Sequence, residues 1–407
     1  MELKTGYKRT EAGIVPADWL DCTVGDLIKF EGGSQPDKSH FKQSWIPGYT
    51  RLIQIRDYKS NKYETYVPSK LVRRFCEESD IMIGRYGPPV FQILKGISGA
   101  YNVALIKATP ASQINKEYAY YFLKQDSLFT FIDKLSQRSS GQTGVDLKEL
   151  RAYPLSLPPT QAEQEAIAEA LSDADALIES LDQLITKKRQ IKQGAMQDLL
   201  TGKRRLPGFS EEWEAKRLAE LADIRSGGTP STTQPQFWDG EVMWCTPTDI
   251  TALNGFKYLR NTSRTISAEG LKASSAEIIP THSIVMTSRA TIGECAINTV
   301  PMTTNQGFKN FVPFDNVDTE FLYYLLTTQR AGFIGLCSGS TFLEIGKTQL
   351  SGYQVQVPKT KLEQTAIATV LSDMDTELAA LETRLAKARQ IKQGMMQELL
   401  TGRIRLL

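Results

Sequence analysis

Few residues in this 407-residue chain have the types and spacing that chemistry needs. The only two histidines, His40 and His282, supply neither a metal-ligand set nor a nucleophile–base–acid triad. The cysteines (Cys22, Cys76, Cys245, Cys295, Cys337) show no CxxC spacing and are odd in number, which fits a reduced cytoplasm. EIGKTQL (344–350) contains the Gly-Lys-Thr that ends a phosphate-binding loop. That loop needs a glycine five residues before Gly346, where Thr341 stands, and Gly339 falls two residues too early. EAK at 214–216 has no acid placed ahead of it to complete a nuclease set. The expectation is a chain that does no catalysis and binds no cofactor or metal of its own.

Side chains suited to phosphates and base edges are better represented. SGGTPSTTQPQFW (226–238) carries Thr229, Thr232 and Gln234, and TTNQGFK (303–309) carries Asn305, Gln306 and Lys309. A basic run, Lys257, Arg260, Arg264 and Lys272, precedes Arg289. In the first half the parallels are Lys38, Lys42, Arg56, Lys59, Arg73, Arg74, Arg85 and Tyr101-Asn102. Arg85 and Arg289 stand out because each follows an apolar strand at what reads as an equivalent point. Their planar fork matches a guanine edge. Each candidate taken alone also fits an ordinary solvated side chain, and Trp19, Trp213, Tyr120-Tyr121 and Tyr323-Tyr324 fit core packing. Residues 1–157 hold 22 Lys and Arg against 17 Asp and Glu, net +5, whereas 206–360 hold 12 against 15, net −3. Composition therefore favours a polyanion for the first region and not for the second.

An internal repeat organises the elements that position these residues. RQIKQGAMQDLLTGKRRL (189–206) returns as RQIKQGMMQELLTGRIRL (389–406). Upstream, EQEAIAEALSDADALIESL (163–181) matches EQTAIATVLSDMDTELAAL (363–381), and LRAYPLSLPP (150–159) matches LSGYQVQVPK (350–359). Weaker echoes pair RDYK near Asp57 with TDIT near Asp249, IMIGRYG (81–87) with IVMTSRA (284–290), and KEYAYYFL (116–123) with TEFLYYLL (319–326). The chain thus reads as two tandem units, each a globular region followed by one long helix.

Each helix is announced by a proline-free stretch, 161–200 and 361–400, with Thr-Gly at its end. Ile167, Leu171, Ala174, Ile178, Leu181 and Ile185 alternate by four and three, the spacing of a coiled-coil seam. Ile367, Leu371, Met374, Leu378, Leu381 and Leu385 repeat it. Acids fill the first half of each helix and bases the second, so antiparallel pairing sets unlike charges side by side. Such pairs are worth ~0.5 kcal/mol each at a surface and fix orientation only together. The same division also suits each helix's own dipole. An antiparallel pair gives a pseudo-two-fold body with two ends, and duplex DNA is a polymer read by such bodies.

The motifs GYKRTEAGIVPADW, LSLPPTQAEQEAIAEALSDADALI and RQIKQGAMQDLLTGKRRLPGFSEEW, with their second copies, resemble those of type I restriction–modification specificity subunits over essentially the whole chain. FWDGEVMWCTPTDI and TTNQGFKNF resemble target-recognition segments, which are looser. The resemblance implies that each globular region reads one half of a bipartite double-stranded DNA site and that the helices set the gap. It implies methyltransferase subunits docked along the helices, two per chain, with S-adenosylmethionine bound on them. Restriction and translocase subunits using ATP and Mg can join. RYGPPVF (85–91) is similar to the N-P-P-aromatic loop of adenine methyltransferases, but Gly87 replaces the amide and Val90 intrudes. A non-catalytic coiled-coil scaffold with two similar binding domains is the competing class.

The expected fold is α+β: recognition domains at 1–157 and 206–357, and helices at 158–205 and 358–407 forming an antiparallel coiled coil. Short helices are expected at 115–124 and 319–328, and a strand at YQVQV (353–357). No apolar run approaches the ~20 residues of a membrane span, and the predicted location is the cytoplasm.

Overall fold

The computed structural model describes residues 5–138, 144–337 and 343–406. Thr341 and Gly339, which set aside the phosphate-binding loop above, lie outside them. The chain divides into two compact units, Met1–Leu181 with Arg384–Leu407, and Asp182–Thr383.

In the first unit an antiparallel sheet runs in the order Ile28–Gly32, Leu105–Pro110, Ile81–Gly84, Ile93–Leu94. Ile81, Met82 and Ile83 are buried on both faces, so that strand reads as an unbroken apolar run. A second four-stranded sheet joins Tyr66–Pro68, Tyr49–Ile53, Gly99–Tyr101 and Phe75–Cys76. The helix Lys116–Leu123 starts where the Asn115 side chain accepts from the N–H groups of Glu117 (2.9 Å) and Tyr118 (3.1 Å). It buries Tyr118, Tyr121, Phe122 and Leu123. The unit closes where Leu20–Thr23 pairs antiparallel with Pro154–Leu157.

The second unit repeats this plan with its own sheets. Ala222–Ser226, Phe308–Pro313, Ile284–Thr287, Cys295–Asn298 and Tyr258–Leu259 form the larger, and Arg264–Ile266, Trp238–Cys245 and Thr303–Thr304 the smaller. The helix Thr319–Thr328 is capped by Asp318, and Glu214–Arg217 pairs with Gln354–Val357 to close the unit. The Gln354–Val357 strand alternates exposed and buried positions, as expected of YQVQV.

The long helices span Gln161–Leu199 and Lys361–Leu399, 39 residues each. At 1.5 Å per residue each is about 58 Å long. They run antiparallel, and the ion pairs within each unit show it. In the first unit Glu163 meets Arg405 and Asp175 meets Lys392. In the second Glu363 meets Arg205, Asp375 meets Lys192, and Arg189 meets Glu382 at 2.6 Å. Leu181, Ile185, Leu378 and Leu385 are buried along the seam; Ile178, Met374 and Leu381 are half-buried. The first seam positions do a second job. Ile167 and Leu171 belong to the first unit's core, with Trp19, Tyr118, Leu155, Met396, Leu399 and Leu400. Ile367 and Leu371 belong to the second's, with Leu199, Leu200, Phe321 and Leu350.

The repeated helix end is explained by what it plugs. Gly202 (φ +70°) and Gly402 (φ +68°) both take the left-handed conformation that ends a helix. A Cβ on Gly202 would stand 3.3 Å from the Trp213 ring, and one on Gly402 only 2.4 Å from Pro16 and 3.0 Å from Trp19. Tyr7 donates its hydroxyl to the Gly402 carbonyl at 3.2 Å, and Arg405 also grips Asp18 at 2.9 Å. The repeated Glu-Gln pair locks the helix starts. Gln164 accepts from the Asn115 N–H (2.7 Å) and donates to the Pro158 carbonyl (3.0 Å); Gln364 does the same with Asp318 (2.9 Å) and Pro358 (3.2 Å).

The carboxylates of Glu163 and Glu363 are 2% and 3% exposed, and Glu363 takes both a bidentate Arg205 fork (2.7 and 2.8 Å) and the Trp213 Nε1–H (3.2 Å). Removing one partner of such a pair strands the other. Glu363→Ala should therefore destabilise the second unit by ~3 kcal/mol or more. Denaturant unfolding followed at Trp213 reads this; an unchanged midpoint would show the pair to be dispensable.

Candidate nucleic-acid interface

Both units make the same turn where the smaller sheet hands over to the larger. Asn102 accepts on Oδ1 from the Ala104 N–H (3.1 Å), and Asn305 from the Gly307 N–H (2.8 Å). The Asn102 N–H bonds the Ile53 carbonyl and the Asn305 N–H that of Cys245. Ser34 and Gly228 donate to Tyr101 and Thr304. The Arg85 N–H bonds Ala104 and the Ser288 N–H bonds Gly307; Val145 and Ile345 then bond the carbonyls of Arg85 and Ser288. Asn102 and Asn305 are thus turn-makers. Their Oδ1 atoms are committed to this local bond. Tyr101 is 1% exposed in the core, where burial pushes its phenol up to about 12.

This network corrects the proposed match of Arg85 with Arg289. The strand register sets Gly84 opposite Leu105 and Thr287 opposite Phe308, so Arg85 corresponds to Ser288 and Tyr86 to Arg289. One residue along an extended segment reverses the side-chain face. Arg85 lies over the Tyr86 ring at 5.2 Å, whereas Arg289 pairs with Glu344 at 2.8 Å.

Other candidates scatter. In the second unit, Thr229 donates its hydroxyl to Gln306, which joins Asn305, Gln306 and Arg289 into one patch. Lys309 lies beneath it, 5% exposed and 3.9 Å from Glu344; burial lowers its pKa and Glu344 opposes that. Thr232 and Gln234 are exposed on the loop ahead of Trp238. Arg264 stacks on Trp238 at 3.9 Å and Trp244 at 5.4 Å, and the indoles donate to the carbonyls of Ser231 (3.1 Å) and Gly228 (2.9 Å), so this trio braces that loop. Lys257 is committed elsewhere, to Glu320 (2.8 Å), Tyr324 (3.2 Å) and Ser372 (2.7 Å). Burial raises Glu320's pKa, but the hydrogen bonds from Lys257, Ser372 and Tyr258 outweigh it and hold the carboxyl low. With Arg260, Lys257 lines a groove of about 690 Å³ against Arg189, Lys192 and Asp375.

In the first unit, Lys38, Lys42, Lys59, Arg56 and Arg73 are exposed. Arg56 reaches the Tyr63 carbonyl (3.3 Å) and Arg74 pairs with Glu31 (3.1 Å). Asp57 and Asp249 cap equivalent short helices by accepting from the N–H groups of Gln54 (2.9 Å) and Thr246 (2.7 Å). These bonds explain the repeated aspartate.

All five cysteines are unpaired. Among the described residues no cluster of His, Cys, Asp and Glu could hold a metal ion, and no helix is long and apolar enough to cross a membrane.

Comparison with known proteins accounts for the repeat. A family described as "Type I restriction modification DNA specificity domain" matches twice, over residues 16–191 and 210–392. The MjaVIII type I restriction enzyme specificity subunit of Methanocaldococcus jannaschii is 24% identical over 98% of this chain and 96% of its own length. The MjaIX specificity subunit of the same organism is 38% identical over 40% of this chain, which spans 38% of that protein. Among solved structures, the S subunit of a type I restriction–modification system from M. genitalium superposes over 98% of both chains (TM-score 0.59, 15% identity). A chain from a study of complex assembly and conformational transition in a type I system does so over 96% of this chain and 99% of its own (TM-score 0.60, 16% identity).

Proposed function

The chain belongs to the type I restriction–modification DNA specificity family, and from that premise we propose that it is the non-catalytic, DNA-reading subunit of a cytoplasmic methyltransferase complex. Each unit reads one half of a bipartite duplex site, and the long helices set the gap and receive two methyltransferase subunits. S-adenosylmethionine belongs to those partners, and ATP and Mg to any restriction subunits that join.

The observation that carries this is the duplication itself. One chain holds two units with the same asparagine turn, each locked by the same buried glutamate–arginine pair, yet with different exposed side chains. A scaffold has no use for that combination, whereas a reader of two unlike half-sites does.

Methylation sequencing of host DNA with and without this chain tests it: a bipartite motif should vanish when the chain is absent. Binding to duplex DNA should also weaken steeply between 50 and 200 mM salt, on the order of 10³-fold if several phosphates are neutralised. A chain without duplex affinity would return the scaffold reading.

Arg289→Ala should relax one position of one half-site, and Arg85→Ala one position of the other, each by ~1–3 kcal/mol if the guanidinium meets a base edge. Uniform weakening across sequences would mark phosphate contacts instead.

A further inference from the structure

The side chains mounted on the shared turn differ between the units as matched sets. In the first unit the asparagine is followed by Val103, 44% exposed, and the neighbouring strand end presents Tyr86, 37% exposed. The Tyr86 ring packs so closely on Gly144 that an added Cβ there would lie 3.1 Å from it. In the second unit the corresponding positions are Gln306, Arg289 and Glu344, and the place of the ring on glycine is taken by the Arg289–Glu344 pair at 2.8 Å. The backbone bonds that define these positions are the same in both units.

We propose that these exchanged positions, Val103 with Tyr86 and Gly144, and Gln306 with Arg289 and Glu344, determine which base pair each unit accepts at one position of its half-site. The assignment rests on the reading that each unit recognises half of a DNA site.

Three physical points support it. The side chains of Val103, Tyr86, Gln306 and Arg289 are exposed, so core packing does not dictate their identity. They change together, since a glycine makes room for a ring where a glutamate holds an arginine. And the two sets suit different base edges. Valine methyls and a tyrosine face offer apolar contact of the kind a thymine methyl takes. A glutamine amide and an anchored guanidinium offer the hydrogen bonds that adenine or guanine accepts in the major groove. The Thr229 hydroxyl orients the Gln306 amide, and Glu344 holds the guanidinium, so less freedom is lost when a base is met.

The test is a comparison of host methylation maps for the unaltered chain, Val103→Gln, Gln306→Val and a strain lacking the chain. Each substitution should change the base preference at one position of one half-site by on the order of tenfold or more, leaving the other half unchanged. Both positions are exposed, so thermal unfolding of the purified variants should match the parent. Val103→Ala and Gln306→Ala provide a second pair if either exchange disturbs the turn; they should relax that same position. An unaltered motif, a general loss of methylation without altered preference, or a change in the other half would overturn the assignment. If deleting the chain leaves the map unchanged, the DNA-reading function fails first and takes the assignment with it.

Discussion

Exchanging residues 206–357 for the same segment of a relative should replace one half of the recognised site and leave the other untouched. The splice points favour a clean result. Glu214 stands opposite Val357 in an antiparallel strand pair, so the segment leaves and re-enters the fold at neighbouring positions. The first unit is closed in the same manner, with Leu20 opposite Leu157. The contacts that must survive the exchange include Trp213 on Glu363 and Gly202, the caps that Gln364 and Asp318 share, Lys257 on Ser372, Tyr324 on Asp375, and the packing of Phe321 and Leu350 with Ile367 and Leu371. A donor segment keeping those residues should fold, and methylation sequencing would then show a hybrid motif. The effect is all-or-none at the old site, because each mismatched base pair costs ~1–3 kcal/mol and a foreign half-site mismatches several. A change in both halves would mean that the units do not read independently.

The second large effect concerns the gap between half-sites. Adding four residues to both long helices lengthens each by ~6 Å, close to two base pairs of duplex at 3.4 Å per step. The preferred gap should then grow by one or two base pairs with both half-sites retained. The insertion points must face each other. Lys192 meets Asp375 and Arg189 meets Glu382, and that register carried along both helices brings Gln183 level with Thr383. Insertions after Gln183 and after Thr383 keep the acid–base pairs of the helix ends, whereas insertion in one helix alone slides Lys192 away from Asp375 and breaks the seam. Methylation maps of the doubly altered chain would show the new gap, and calorimetry would show the singly altered chain to be destabilised. An unchanged gap would put the ruler in the partner subunits or in bending of the DNA.

The helices were legible in the sequence because three signals agreed over a long span: apolar spacing, charge division and terminal Thr-Gly. The short helices at Lys116–Leu123 and Thr319–Thr328 were legible through their caps and aromatic pairs. The interface was legible only as a composition. Lys257 reads as a free cation until Glu320 and Ser372, distant in sequence, arrive beside it. Nothing in the local sequence around Arg264 shows that it stacks on Trp238 and Trp244. The Arg85–Arg289 match fails by one position: IMIGRYG laid on IVMTSRA letter by letter already sets Arg85 against Ser288 and Tyr86 against Arg289, and the ladder with the next strand has that same register. The repeated asparagine, at Asn102 and Asn305, marks the same register, but the turn it makes depends on backbone N–H groups that the sequence alone does not place.

The helix end that carries Met396, Leu399 and Leu400 completes the core built around Trp19, and this reverses the order in which the units mature. The second unit receives its plug from residues just ahead of it, Gly202 lying on Trp213. The first must wait for Gly402, made nearly four hundred residues later, to reach Trp19. On the ribosome the part made first is thus finished last, its apolar socket open to chaperones and proteases throughout synthesis. A stop codon near residue 384 would spare the neighbouring unit's core and unseat the one farthest away in sequence.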